Sequence, residues 1–361
     1  MAPMAVDVAA DAVGIVVDIK LPVGKHSDTH NGIGSRSQLE QSIKDHGLTA
    51  LWNVGRNVTL PEPRTKHVPS VWRYKDTKAH LLRAAALVPP EEAERRALIM
   101  INPGPQMPPH TSDTLLSAHQ LLLPGERALC HRHTPFAVRF LIEGHHGFTA
   151  IAGKKMYMEP GDMIITPQWH WHDHGNDGNE NVIWLDGLNI PFFNLNPIDF
   201  LDEYKDLHGT ITHESKVVVD EDCTEMKFPW KSTKAHLDAS DASHAIHEYR
   251  LPDGGQVNSI IAASAERILP GTITAPRQDT CNRIYQVHSG SGTAVVTAPR
   301  GDKTFDLKWS HADTFVIPSW YKFTIQASGD ETAYLFTFSD LALLENLEIY
   351  RANEFAESTM P

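Results

Sequence analysis

Two groups of histidines, about forty residues apart, are the side chains of this chain best suited to hold a metal ion. The first group reads His131-Arg-His133, and the second reads His170-Trp-His172-Asp-His174. Residues two apart in a β-strand point to the same face, so both rings of the first group can reach one ion. A third histidine from a later strand would complete the site and leave coordination positions open, as in catalytic metal sites. The spacing therefore predicts a metalloenzyme.

Spacing alone leaves two questions open. His170, His172 and His174 share one face of a strand, so any of them could be the third ligand. The same pattern also fits histidines that are merely buried and hydrogen-bonded inside a β-barrel.

Composition narrows the classes of partner and compartment. The 361-residue chain has a net charge of −13, which disfavours nucleic acid because phosphate contacts need clustered Lys and Arg. One buried arginine could still bind a small anionic substrate. The three cysteines form no CxxC pair, which predicts free thiols in a reducing compartment. Neither a signal peptide nor a membrane span fits the sequence, so we expect a cytoplasmic protein with no membrane partner.

The pattern of apolar and polar residues changes along the chain. Residues 1–35 are aperiodic and predict a flexible N-terminal arm. Apolar patterns from Ser37 to Leu51 and from Asp76 to Leu87, with Asp76 as N-cap, predict helices in an extension over 36–110. The rest is predicted to hold β-rich regions over 111–195 and 257–338, a linker over 196–256 with a short helix over Pro197–Leu207, and a C-terminal helix and tail over 339–361 in which the helix runs from Ser339 to Phe355.

The two β-rich regions are similar to each other. Asp162-Met-Ile-Ile-Thr-Pro-Gln-Trp169 aligns with Asp313-Thr-Phe-Val-Ile-Pro-Ser-Trp320 at an offset of 151 residues, and Arg139-Phe-Leu-Ile aligns with Arg283-Ile-Tyr-Gln at an offset of 144. This indicates an internal duplication.

The offsets test the metal hypothesis, because they show what the second copy carries at the ligand positions. They place Ala275 and Arg277 opposite His131 and His133, and Phe323 opposite His172. The second copy keeps its aligned Asp, Pro and Trp but none of the proposed ligands. We therefore expect a metal in the first copy alone.

Five motifs in order resemble the gentisate 1,2-dioxygenase family, whose members are iron-dependent bicupins that cleave aromatic rings. They are His131-Arg-His133, Arg139-Phe-Leu-Ile-Glu-Gly144, Pro160-Gly-Asp162, Pro167-x-Trp169-x-x-His172-x-His174 and Trp184-Leu-Asp-Gly-Leu-Asn-Ile-Pro191. The resemblance implies an all-β dominated bicupin, with two double-stranded β-helix (jelly-roll) barrels and N-terminal and C-terminal helices. Cupin 1 over 111–195 would bind Fe(II), cupin 2 over 257–338 would not, and the protein would be a homotetramer.

The resemblance also assigns roles to individual residues. It makes His131, His133 and His172 the iron ligands and His174 an acid/base or substrate hydrogen-bond donor. Arg139 would bind the substrate carboxylate or bound oxygen, although an internal carboxylate such as Glu143 or Asp186 is the alternative partner of a buried arginine. The other expected contributors are Gln120 as a substrate-binding amide, Asp186 as the group orienting His174 or another histidine, Arg83 at the pocket mouth, and Leu116 and His119 as departures from the family pattern that approach the pocket.

The activity implied by the resemblance is ring opening of gentisate (2,5-dihydroxybenzoate). Cleavage with O2 between the carboxyl-bearing carbon and the adjacent hydroxyl carbon would give maleylpyruvate. The expected partners are thus a small aromatic o-hydroxy carboxylate and O2. Two alternatives remain at this point: the same chemistry on salicylate or 1-hydroxy-2-naphthoate, and a non-oxygenase metal-binding cupin.

Overall fold

The structure is a computed structural model that describes residues 7–9, 16–18 and 35–353, except 94, 105–108, 207, 209–211, 213–216 and 221–222. The chain divides into two units, Met1–Pro61 and Glu62–Pro361. Most of the arm predicted over residues 1–35 lies outside the described residues. Within those residues, no helix is long and apolar enough to cross a membrane.

The described residues of the first unit form one short strand pair and two helices. Strands β1 (Asp7–Ala9) and β2 (Val16–Asp18) pair antiparallel, and helices α1 (Arg36–Asp45) and α2 (Leu51–Val58) follow. Ser35 starts α1 through a reciprocal capping box with Gln38. The single helix predicted up to Leu51 is wrong, because Gly47 at φ 69° reverses the backbone between α1 and α2.

The second unit contains two copies of one strand pattern. The first copy and its extension comprise β3 (Ser70–Trp72), α3 (Tyr74–Leu87), α4 (Pro90–Ala93), β4 (Ala97–Ile99), β5 (Leu116–Leu122), β6 (Arg127–His133), β7 (Ala137–Glu143), β8 (Gly147–Ile151), β9 (Lys154–Met158), β10 (Met163–Thr166), β11 (His172–Asn176), β12 (Val182–Leu188), α5 (Ile190–Leu195), β13 (Leu201–Glu203) and β14 (Val218–Val219). The second comprises β15 (Lys227–Phe228), α6 (Trp230–Asp238), β16 (His244–Glu248), β17 (Ala262–Ile268), β18 (Arg283–Ser289), β19 (Gly292–Thr297), β20 (Thr304–Trp309), β21 (Thr314–Ile317), β22 (Lys322–Ala327), β23 (Ala333–Ser339) and α7 (Leu341–Asn346).

Each copy folds into two sheets whose inner side chains meet. The first barrel combines the strand order β15-β10-β7-β12-β5-β4 with β13-β6-β11-β8-β9-β14, and the second combines β16-β17-β23-β18-β21-β3 with β20-β19-β22. This is the jelly-roll arrangement, and the predicted all-β dominated bicupin is confirmed.

Three further local predictions differ from the structure. The helix predicted over Pro197–Leu207 is wrong: the helix lies earlier, at α5, and β13 pairs with β6 inside the predicted range. The C-terminal helix is shorter than predicted, because Ser339 ends β23 and α7 ends at Asn346. Asp76 is not an N-cap but lies in the first turn of α3, whose N-cap is Arg73.

Each copy contributes an edge strand to a sheet of the other copy, and each caps the first residue of a helix in the other. β15 of the second copy pairs with β10 of the first, while β3 of the first pairs with β21 of the second. The aligned aspartates fix these crossings: Asp162 accepts the backbone N–H of Trp230 at 2.8 Å, and Asp313 accepts that of Tyr74 at 2.9 Å. Each carboxylate thus satisfies an otherwise unpaired donor at the first residue of α6 or α3.

One hydrophobic core runs from one barrel to the other. Phe140 of β7 stacks on Phe336 of β23 with ring centroids 4.5 Å apart. Beside them Gly187 of β12 leaves room for the ring of Phe338, because a Cβ at Gly187 would lie only 2.6–2.8 Å from three atoms of that ring. The outer face of the first barrel therefore serves as half of the core between the barrels.

Replacing Gly187 by alanine should lower the free energy of unfolding by about 1–3 kcal/mol, because the added methyl group overpacks this interface. Thermal or urea unfolding measures the loss. Gly55→Ala is the matched control, because its Cβ would meet nothing closer than 3.9 Å, so no loss is expected. Equal stability of Gly187→Ala and the wild type would contradict close packing between the barrels.

Candidate metal centre

Three buried histidines bring their rings together inside the first barrel. His131 and His133 extend from β6 and His172 from the neighbouring β11, directly opposite His131 in the ladder. One ring nitrogen of each lies within 4.8 Å of the corresponding nitrogens of the other two. In the part of the chain that the structure describes, no other group of three or more His, Cys, Asp or Glu side chains is placed to share an ion.

Backbone carbonyls orient all three rings in the same way. The Nδ1 atoms of His131, His133 and His172 lie 2.8, 2.7 and 2.9 Å from the carbonyl oxygens of Leu129, Pro135 and His170. Each Nδ1–H donates to its carbonyl, so the lone pair of each neutral ring lies on Nε2. Metal-binding histidines are oriented by this kind of contact.

The surroundings keep these imidazoles neutral. Burial, followed by the nearby guanidinium of Arg95, lowers the pKa of His131 to about 3. Burial is also the main cause of the lowered pKa of His133 and of His172. Three neutral nitrogen donors without a carboxylate suit a divalent transition metal such as Fe, Zn, Cu or Ni.

Arg139 is held by the protein on several sides. Its Nε donates to Asp186 at 2.8 Å, its Nη1 donates to Thr149 at 2.6 Å, and its Cζ lies 4.5 Å from the centroid of the Trp184 ring. The second oxygen of Asp186 accepts from the indole N–H of Trp184 at 3.0 Å. Asp186 thus orients Arg139 rather than His174, and the internal carboxylate is the partner present in this structure.

His174 is paired with Gln120. The amide Nε2 of Gln120 donates to Nε2 of His174 at 2.9 Å, which places the proton of the neutral ring on Nδ1. That Nδ1 is buried and has no hydrogen-bond partner among the described residues. Burial, reinforced by Arg139, lowers the pKa of His174 well below its usual value. The ring of His174 lies 6.2 Å, centroid to centroid, from that of His131.

The side chains of two other histidines and of Arg83 are not part of the triad. His170 is exposed and contributes its carbonyl oxygen to His172. His119 is buried but contacts Thr77 and Thr314, so the expectation that it approaches the pocket is wrong. Arg83 is exposed on α3.

Arg95 is the site residue that the sequence did not reveal. Its Nη1 lies 2.9 Å from Nε2 of His131 and donates to it, at the nitrogen that would bind a metal. The residue reaches the barrel because β4, which starts two residues later, pairs with β5. The sequence shows only two consecutive arginines before a short apolar run in an acidic chain. Such a pattern does not predict that Arg95 lies beside the histidines.

The chain is similar to known proteins. A family profile described as "Cupin domain" matches residues 118–188. Gentisate 1,2 dioxygenase 1 of Aquipseudomonas alcaligenes is 31% identical over 88% of this chain and 95% of that protein. The chain belongs to the gentisate 1,2-dioxygenase family. The 5-aminosalicylate 1,2-dioxygenase of Comamonas sp is 30% identical over 88% of this chain and 90% of its own length.

Solved structures agree with this assignment. The salicylate 1,2-dioxygenase of Pseudoaminobacter salicylatoxidans, in a structure of its adducts with gentisate, matches 91% of this chain and 96% of its own with a TM-score of 0.78 and 27% identity. This member of the gentisate 1,2-dioxygenase family is therefore an enzyme, a ring-cleaving 1,2-dioxygenase of the gentisate and salicylate type with a three-histidine site.

The second barrel of this dioxygenase replaces the histidines by a salt bridge. Arg277 pairs with Phe323 across the strands as His131 pairs with His172. The backbone pairing thus matches Arg277 to His131, two residues from the match given by the 144-residue offset. Arg277 forms an ion pair with the buried Glu266 at 3.1 Å, so its charge is neutralised inside the protein.

Substituting His172 by alanine should abolish stoichiometric binding of a divalent metal, because only two of the three ligands remain. Metal content per chain after reconstitution and desalting measures this. His170→Ala is the matched control, since His170 contributes only its backbone carbonyl, and should keep its metal. Full metal occupancy in His172→Ala would exclude His172 as a ligand.

The metal-free enzyme should lose stability between pH 7 and 5.5. Each of the three triad histidines has a lowered pKa in the folded state, whereas histidines of the unfolded chain titrate near 6.5. The unfolded chain therefore takes up more protons as pH falls through 6.5, and each buried histidine costs about 1 kcal/mol over this range. Urea unfolding at each pH measures the slope, which should be shallower in His172→Phe. If the unfolding free energy varied with pH equally in wild type and His172→Phe, the triad histidines would not be neutral in the folded protein.

Proposed function

We propose that this dioxygenase uses Fe(II) and O2 to open gentisate between its carboxyl-bearing carbon and the adjacent hydroxyl carbon, giving maleylpyruvate. The observation that carries the proposal is a triad of neutral imidazoles beside two guanidiniums. Such a site has an excess of positive charge once a divalent ion is added. A dianionic o-hydroxy carboxylate balances that charge.

The residues proposed to hold the iron are His131, His133 and His172. Their chemistry fits, because neutral histidines occupy only part of the coordination sphere and leave open positions. When bound, Fe(II) would bring an o-hydroxy carboxylate and O2 together on one redox-active ion and mediate the transfer of electrons between them.

Arg95 is proposed to bind the substrate carboxylate. Its guanidinium already lies on the ligand side of His131, where it donates to a nitrogen lone pair. A carboxylate accepts a stronger, charge-assisted hydrogen bond from arginine than an imidazole nitrogen does. The guanidinium of Arg95 would therefore release Nε2 of His131, donate to the substrate carboxylate instead, and fix the orientation of the substrate ring.

Arg139 is proposed to act as a fixed positive charge. Asp186 and Thr149 hold its guanidinium inside the barrel, so it needs no reorganisation during turnover. A preorganised cation in a buried site stabilises negative charge that develops on oxygen. The pair with Asp186 supports this role by keeping the buried arginine in place.

His174 and Gln120 are proposed to form the hydrogen-bonding site for the substrate hydroxyl. The amide of Gln120 keeps Nε2 of His174 occupied, which leaves a buried Nδ1–H without an acceptor. A substrate oxygen would satisfy that donor. Because burial keeps His174 neutral, its Nδ1–H would serve as a hydrogen-bond donor to that oxygen.

The same chemistry on salicylate or 1-hydroxy-2-naphthoate is the alternative. A 1-hydroxy-2-naphthoate 1,2-dioxygenase from Nocardioides sp. (strain KP7) is 31% identical over 78% of this chain, so identity does not separate the substrates. The second ring hydroxyl of gentisate favours oxidation of that ring, and the Gln120–His174 pair supplies polar atoms for it. The non-oxygenase cupin finds no support among the reported relatives, which are dioxygenases.

The test is O2 uptake after anaerobic reconstitution with Fe(II), using gentisate, salicylate and 1-hydroxy-2-naphthoate. We expect one O2 per gentisate, a product heavier by two oxygen atoms, and no uptake after iron chelation or in His172→Ala. In Arg95→Leu the KM for gentisate should rise about 10–100-fold, the loss of one charged hydrogen bond. Tightly bound iron with no O2 uptake on any ring would overturn the reaction, and uptake on another ring alone would overturn gentisate as the substrate.

The proposal includes a homotetramer in the cytoplasm. All three cysteines are buried and none forms a disulfide, which is consistent with a reducing compartment. Light scattering of the purified protein tests the assembly.

A further inference from the structure

We infer that Arg132 is a positioning residue that holds the metal-ligand strands β6 and β11 in register from outside the barrel. The inference rests on the metal site of the proposed function. Arg132 lies between His131 and His133, so its side chain leaves the opposite face of β6. It extends toward the segment that leads into His172.

The guanidinium of Arg132 contacts two indole rings. Its Cζ lies 4.4 Å from the centroid of Trp169 and 4.4 Å from that of Trp171. Its Nε and Nη2 both donate to one oxygen of Asp202, at 3.0 and 2.8 Å. We call this group of Arg132, Trp169, Trp171 and Asp202 the arginine clamp. Planar stacking and paired donation are possible for a guanidinium but not for an ammonium group.

The clamp lies at the end of the paired part of β6 and β11. β6 and β11 are matched at His131 and His172, but their register shifts between His172 and His174. Before His172 the chain passes through a turn at Trp169, whose φ of 61° is unusual for a bulky residue and whose N–H donates to the carbonyl of His133 at 2.9 Å. The regular pairing of β6 with β11 thus ends at His172, and the clamp contacts the segment immediately before it.

The second barrel provides a comparison within the same chain. Trp320 repeats the turn, with φ 65° and an N–H donated to the carbonyl of Asp279 at 2.7 Å. Yet Gln278 stands in the place of Arg132 and donates to the carbonyl of Trp320, and Lys322 stands in the place of Trp171. The turn is common to both barrels, whereas the arginine clamp accompanies the metal ligands alone.

The role of the clamp can be measured by metal binding in the metal-free protein. We would titrate wild type, Arg132→Leu, Arg132→Lys and Gln278→Leu with Co(II) against a competing chelator and record the visible spectrum. Arg132→Leu should raise the Kd about 10-fold or more, as expected when a group that orients metal ligands is lost, and should shift the Co(II) spectrum. Arg132→Lys should recover part of the affinity, and Gln278→Leu should match wild type.

The outcomes separate the clamp from the site itself. If wild type binds neither Co(II) nor Fe(II), the metal site is overturned. If wild type binds but Arg132→Leu has the same Kd and spectrum, the clamp alone is overturned. Circular dichroism checks folding, and Trp171→Leu replaces Arg132→Leu if the latter fails to fold. Trp171→Leu keeps the Asp202 ion pair but removes the indole that joins Arg132 to the segment before His172, so a rise in Kd is expected there too, and wild-type affinity overturns the inference.

Discussion

The constraint on which the site depends is the burial of neutral imidazoles beside guanidiniums. Three rings are kept uncharged by burial, each ring is turned by a backbone carbonyl, and no carboxylate joins them. Inside a barrel, unbalanced charge is costly. A divalent ion held by three neutral rings would bring such charge, which an anion from outside the protein would offset, and the substrates in the names of its relatives, aromatic o-hydroxy carboxylates, are anions of this kind.

The second barrel meets the same physical demand in a different way. It keeps the turn at Trp320 and the aspartate at the start of a helix, both of which serve the fold. Where the first barrel gathers three neutral histidines, the second places Arg277 against Glu266. A duplicated scaffold can therefore carry either a reactive centre or a closed salt bridge without a change in its strands.

Much of this structure could be predicted from the sequence. Strand alternation brought His131 and His133 to one face, and the duplication gave two barrels. The third ligand could not be chosen by alternation, since His172 and His174 share a face; the ladder decides, because its register shifts immediately after His172. Insertions between strands also moved the offset, so the alignment matched Arg277 to the wrong histidine.

Other features lie beyond the reach of local patterns. Arg95 enters the site only because β4 adds to the sheet edge, and the partner of Arg139 depends on which inward side chain lies across the ladder. The wrong helix at Pro197–Leu207 has a similar origin. Its residues became a strand because an unpaired edge of β6 was available to them.

The exchange of β3 and β15 makes each barrel incomplete without the other half of the chain. A chain cut between the repeats would yield two fragments, each exposing one sheet edge and carrying the strand that fits the edge of its counterpart. Such fragments are built to recognise each other. The polypeptide is in this sense a covalently joined heterodimer, in which one half performs the chemistry and the other contributes part of its fold.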